Sequence, residues 1–214
     1  ALATHSAEKV DAIAALAPYY FRLSSLKSLL EYCKEIASCA PNTPFYYYHI
    51  PVLTGANFLM HEFLGLASQE IPNFAGIKFT NNNLIDYKYC KDFDNGAYNI
   101  LFGFDEILLA SLPLGAEGWV GSTYNHLAPL YLSIIEAFHN NDHKLAAALQ
   151  EKSMKFVDTL NAKGGFNGAA KSFMKVLGVD CGPSRFPHAT LSPKELEEAR
   201  SALNALGIMD HTSR

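Results

Sequence analysis

The chain has 214 residues, 49% of them apolar and 18% charged, with a formal net charge of −4, which is enough for one sizeable domain with a full core. No basic stripe points to nucleic acid, no run approaches the ~20 apolar residues of a membrane span, and no secretory n-region and h-region is visible. The four cysteines, Cys33, Cys39, Cys90 and Cys181, form neither a CxxC pair nor a zinc spacing, and the eight histidines are scattered; a reduced, cytoplasmic protein without a metal site is the expectation.

The chain opens as ALATHSAEKV, already helical in character. DAIAALAP (11–18) is a short apolar run stopped by Pro18 and reads as a buried parallel strand. SSLKSLLEYCKEIASCA (24–40) places Leu26, Leu29, Leu30, Cys33, Ile36 and Ala37 on one helical face, with Ser24 or Ser25 as its cap. The alternation then recurs: strand TPFYYYHI (43–50), helix 57–68, strand NFAGIKFT (73–80), helix 82–93, strand YNILFGF (98–104), a short acidic-headed helix 105–115, and a last strand-like piece, GWVGST (118–123). Beyond it the pattern is helical, over about 125–139, 142–162, 166–177 and 193–206.

About five strands alternating with helices imply a parallel sheet with helices outside. An open doubly wound sheet and part of a (β/α)8 barrel both satisfy that pattern. In either, ligands bind at the carboxyl ends of the strands. Tyr19 and Tyr20 follow the first strand, Tyr48 ends the second, and Lys78 and Thr80 end the third. Gly103, Asp105 and Glu106 end the fourth, and Ser122 and Thr123 the fifth.

Lys78 sits inside the apolar run FAGIKFT. A lysine at a strand end ordinarily packs its stem and sends its head to solvent. The sharper reading is a nucleophile: apolar surroundings disfavour an ammonium, and a neutral amine attacks a ketone to give a Schiff base, an electron sink. Such chemistry needs a proton carrier, and Tyr48 on the neighbouring strand is the candidate beside the plainer reading of core packing. Alternation puts Tyr46 and Tyr48 on one face and Tyr47 and His49 on the other. Asp105 and Glu106 are either helix N-terminal charge or acceptors for a polyol, and Ser122 and Thr123 either ligand contacts or helix caps.

Together, YYYHIPVLTG (46–55), GIKFT (76–80), LFGFDE (101–106) and GAEGWVGSTYN (115–125) resemble the sialic acid aldolases (N-acetylneuraminate lyases) of the dihydrodipicolinate synthase-like class I aldolase superfamily. The resemblance covers nearly the whole chain. It implies an α/β fold of the (β/α)8 TIM-barrel type, no cofactor, a homotetramer, and reversible cleavage of N-acetylneuraminate to N-acetylmannosamine and pyruvate. It makes Lys78 the Schiff-base residue and Tyr48 the proton-transfer residue. Thr80, Gly103, Asp105, Glu106 and Ser122 become substrate contacts, and one of Tyr19 and Tyr20 an aromatic near the catalytic tyrosine. Leu53 stands where dihydrodipicolinate synthases carry an arginine, which favours the lyase. The family's GTTGE-type carboxylate segment is absent, and the chain is expected to be N-terminally truncated by about three βα units. The expected organisation is therefore one domain, an incomplete barrel over 1–124 followed by C-terminal helices over 125–214, with both sheet edges open. Another pyruvate-dependent aldolase or synthase, or an impaired isoform acting as a binding or interaction protein, is the alternative.

Overall fold

Four of the apolar runs form strands, each a few residues shorter than the run. In the computed structural model, which describes residues 1–7 and 9–213, β1 is Ile13–Leu16, β2 Phe45–His49, β3 Phe74–Phe79 and β4 Asn99–Phe102. All are parallel, in the spatial order β1-β2-β3-β4. Helix α1 (Leu2–Ser6) precedes β1, and α2 (Leu26–Ser38), α3 (Pro51–Thr54), α4 (Met60–Glu70) and α5 (Leu84–Asp92) lie between the strands. These elements belong to a first compact unit, Ala1–Phe104 with Pro113–Val120.

The strand register separates two faces of the sheet. Phe45, Tyr47, His49, Ile77, Phe79 and Phe102 are wholly buried on one of them. Phe63 of α4 packs on Tyr47 and Phe74, and Tyr87 of α5 packs between Phe79 and Phe102, with ring centroids 5.0–5.9 Å apart. Burying each such side chain contributes about 1.5–3 kcal/mol. The helices end where their caps dictate. Ser25 Oγ accepts from the Ser28 amide and opens α2, and Asn83 caps α5 by accepting from Asp86 N. Leu59 offers α4 no side-chain cap; Asp86 supplies one from α5, accepting from Met60 N (2.8 Å) and His61 N (3.1 Å).

The expected fifth strand does not form as a strand. Trp119 alone makes a parallel bridge to Phe102, tied by Phe102 N to Gly118 O (2.9 Å) and Val120 N to Phe102 O (3.0 Å). The pairing ends at Val120, and Gly121 begins the second unit. The sheet thus has four strands rather than five. Its β4 edge is partly covered by this bridge, while β1 has no outer partner strand among the described residues.

The second unit, Asp105–Leu112 with Gly121–Arg214, is helical. It holds α6 (Leu108–Ser111), α7 (Tyr124–His139), α8 (His143–Asn161), α9 (Phe166–Phe173) and α10 (Pro193–Ala205). Leu130, Ile134, Phe156, Leu160, Phe173 and Leu203 are its fully buried centre. Asp142 caps α8, and Ser192 with Glu195 forms a reciprocal capping box on α10. Residues 105–112 and 121–123 therefore pack with the helices that follow Thr123. Among the described residues no helix is long and apolar enough to cross a membrane.

Candidate active site

On the sheet face away from α4 and α5, register aligns two rows across the strands. Ala14, Tyr46, Gly76 and Asn99 form one; Leu16, Tyr48, Lys78 and Leu101 form the next, nearer the carboxyl ends. Gly76 must be glycine, because a Cβ there would run into the Asn99 backbone carbonyl. Tyr48 and Lys78 are direct neighbours, and the Lys78 Nζ lies 4.0 Å from the Tyr48 ring centroid. A cation over an exposed aromatic face gains about 0.5–1 kcal/mol. No carboxylate pairs with Lys78 among the described residues. The amine is held by an aromatic face and is free of an ion pair.

Ile77 and Phe79, the apolar neighbours expected to surround the amine, are both wholly buried on the opposite face, because successive strand residues alternate. Tyr48 and Leu101 flank Lys78 in register, and Thr80 and Gly103 lie beside its chain. A Cβ at Gly103 would strike Thr80 Oγ1 and come within 3.2 Å of Lys78 Cε. The bare Cα of Gly103 is thus what lets both side chains fit. Thr80 N donates to His49 O (2.8 Å), and Thr80 Oγ1 is buried without a hydrogen-bond partner among the described residues. Tyr19 and Tyr20 follow β1 and are 69% and 82% exposed; Tyr20 meets Phe21 edge-on at 4.9 Å, and neither ring packs on Tyr48.

Asp105, Glu106 and Ser122 belong to the second unit. The Asp105 carboxylate is 5% exposed, and its Oδ2 accepts from Thr123 N (3.0 Å) and Thr123 Oγ1 (2.6 Å). It lies so close to Gly121 that any side chain there would collide with it. Thr123 Oγ1 is also 2.8 Å from Tyr131 OH. A carboxylate only accepts, so the threonine proton goes to Asp105 and Tyr131 donates to Thr123. Thr123 therefore does not cap α7 with its side chain, as one reading of GSTYN expected; it anchors Asp105. Burial, and behind it the Asp105 charge, push the Tyr124 phenol well above its usual range. Burial also raises the Glu106 carboxyl; its own backbone hydrogen bond opposes this, and the Asp105 and Asp158 charges add to it. Glu106 is partly exposed, whereas Asp105 is buried with Oδ2 engaged by Thr123. Ser122, which is exposed, lines a cavity of about 300 Å³ with Asn125, His126 and Phe166. The anchoring role of Thr123 escaped the sequence reading because the partner lies 18 residues away, with no local pattern to reveal it. Among the described residues no three His, Cys, Asp or Glu side chains converge as metal ligands.

Residues 1–206 match the dihydrodipicolinate synthetase family. The chain is 36% identical over 211 residues to the N-acetylneuraminate lyase of Rattus norvegicus, covering 97% of this chain and 66% of that relative. It thus spans just under two thirds of that relative's length. The solved structure of Proteus mirabilis N-acetylneuraminate lyase superposes with a TM-score of 0.91 at 36% identity, covering 97% of this chain and 70% of the other. The catalytic lysine mutant of Ruminococcus gnavus sialic acid aldolase superposes with a TM-score of 0.86 at 28% identity, covering 98% and 68%. Four parallel strands alternating with helices, part of a (β/α)8 barrel, agree with these likenesses, and the chain belongs to the dihydrodipicolinate synthetase family.

Proposed function

We propose that the chain carries the Schiff-base site of a class I aldolase that cleaves N-acetylneuraminate reversibly to N-acetylmannosamine and pyruvate. The carrying observation is the adjacency of Lys78 and Tyr48, on paired strands and one face, with Nζ 4.0 Å from the ring centroid. That the aldolases it resembles include one named for its catalytic lysine supports the same role for Lys78.

The Lys78 amine adds to the C2 ketone of the open-chain sugar acid, and loss of water leaves a protonated imine. Tyr48 takes the proton of the C4 hydroxyl as the C3–C4 bond breaks. The bonding electrons pass into the imine, giving an enamine, and the amino sugar leaves as its aldehyde. Protonation at C3 and hydrolysis then release pyruvate and restore the amine. Thr80 and Gly103 border Lys78 and are proposed to shape the keto-acid end. For Asp105, Glu106 and Ser122 the resemblance alone supports a role toward the hydroxyl-bearing tail, and it alone supports a homotetramer.

The test separates the two residues. Tyr48→Phe keeps the ring under Nζ and removes the hydroxyl. It is expected to retain pyruvate adduct formation on Lys78 while cleavage of N-acetylneuraminate falls by about 10²–10⁴-fold. Equal cleavage by Tyr48→Phe and the unaltered protein would remove Tyr48 from the mechanism.

A further inference from the structure

We propose that His49, through Asn81, is a positioning residue that fixes the turn carrying Thr80 beside Lys78; this rests on the Schiff-base reading above. His49 ends β2 directly after Tyr48 and is wholly buried on the helix-facing side of the sheet. It grips three consecutive residues at the end of β3 in three different ways. Its ring packs on Phe79, centroids 5.3 Å apart. Its carbonyl accepts from Thr80 N at 2.8 Å. Its Nε2 lies 3.3 Å from Asn81 Nδ2.

An imidazole is an expensive choice for this position. The ring lies near Tyr47, Phe79 and the Asn81 amide, and His49 Nδ1 is buried without a hydrogen-bond partner among the described residues. An unpaired buried polar atom disfavours the folded state, and an aliphatic side chain would suit the sheet face better. What the imidazole adds is a directional bond to the turn after β3, which an aliphatic side chain cannot make. On the other side of the same strand end, Thr80 Oγ1 and the Lys78 chain share the space left by Gly103. A rotation of residues 79–81 would therefore move the hydroxyl and the amine together. His49 and Asn81 touch neither, so any effect they have passes through the backbone of the turn.

The experiment compares the 214-residue chain with His49→Leu, Asn81→Ala, the double variant and His49→Gln. Two quantities are read: amide hydrogen exchange at residues 80–82, and the yield of borohydride-trapped pyruvate on Lys78. Each of His49→Leu and Asn81→Ala is expected to speed exchange and lower trapping by roughly tenfold. The double variant should be no worse than the poorer single one, as residues in one contact are non-additive. His49→Gln, which restores a hydrogen-bonding group, should recover to within about threefold of the starting protein. Exchange and trapping within about twofold of the starting protein in both single variants would overturn the proposal, as would losses that multiply in the double. Asn81 lies in a part-exposed turn, so Asn81→Ala decides the matter even if His49→Leu folds poorly. Absence of any adduct in the unaltered protein would refute the Schiff-base reading instead, and the exchange data would still decide whether His49 and Asn81 are coupled.

Discussion

At Gly103 one methyl group decides whether Lys78 and Thr80 keep their places. The position has no backbone need for glycine; the need is room, since a Cβ would strike Thr80 Oγ1 and crowd Lys78 Cε. Gly103→Ala is expected to cost about 1–3 kcal/mol of stability, read as a lower urea midpoint, and to reduce pyruvate trapping by around 10²-fold through displacement of the amine. Lys78→Arg tests the complementary point. A guanidinium keeps the charge over the Tyr48 ring but is not a Schiff-base nucleophile at neutral pH. Its thermal midpoint should stay within a few degrees of the unaltered protein, with no adduct at position 78. The place of Lys78 near a strand's carboxyl end was legible in the sequence. Its surroundings were not. Flanking residues in a strand face away from each other, so Ile77 and Phe79 say little about the amine between them.

Among the elements, α4 depends on α5 for its start. Asp86 is 2% exposed and accepts from two α4 amides and from His61 Nδ1 at 2.7 Å. Asp86→Ala leaves those donors unpaired and should destabilise the fold by about 2–3 kcal/mol in urea denaturation. At the end of β2, burial lowers the His49 pKa to about 4, partly offset by the Asp86 charge. The unfolded chain takes up a proton here as pH falls through about 6.5, whereas the folded chain keeps the ring neutral down to about 4. Stability is therefore unaffected by this ring above pH 6.5 and falls on acidification through that window, by about 3 kcal/mol. In His49→Leu the urea midpoint should fall less steeply between pH 6.5 and 4.5 than in the unaltered protein. The strands and long helices were legible as alternating periodicities, because apolar runs bounded by Pro, Gly and Asn leave little choice. The cap of α4 was not, since it comes from 26 residues away. Nor was the shortness of 118–123, whose strand-like composition gives no sign that the chain leaves the first unit at Gly121.

Across the whole molecule, order in the chain and order in the sheet coincide, and this collects Tyr48, Lys78, Thr80 and Gly103 at one end of the first unit. Among the described residues no strand pairs with the outer edge of β1, where Leu16 is 39% exposed. Such an edge promotes association, and a lysine is the usual guard against it. Ala14→Lys, at an exposed position on that strand, should lower self-association in sedimentation velocity without changing far-ultraviolet circular dichroism. The central claim is covalent chemistry at one nitrogen, and it is tested most directly by mass spectrometry. The 214-residue protein is incubated with pyruvate, reduced with borohydride and digested. A single reduced pyruvyl adduct on the peptide bearing Lys78, absent without pyruvate and absent in Lys78→Arg, is the predicted result. Folded protein that carries no adduct there, or carries it equally on other lysines, would contradict the account.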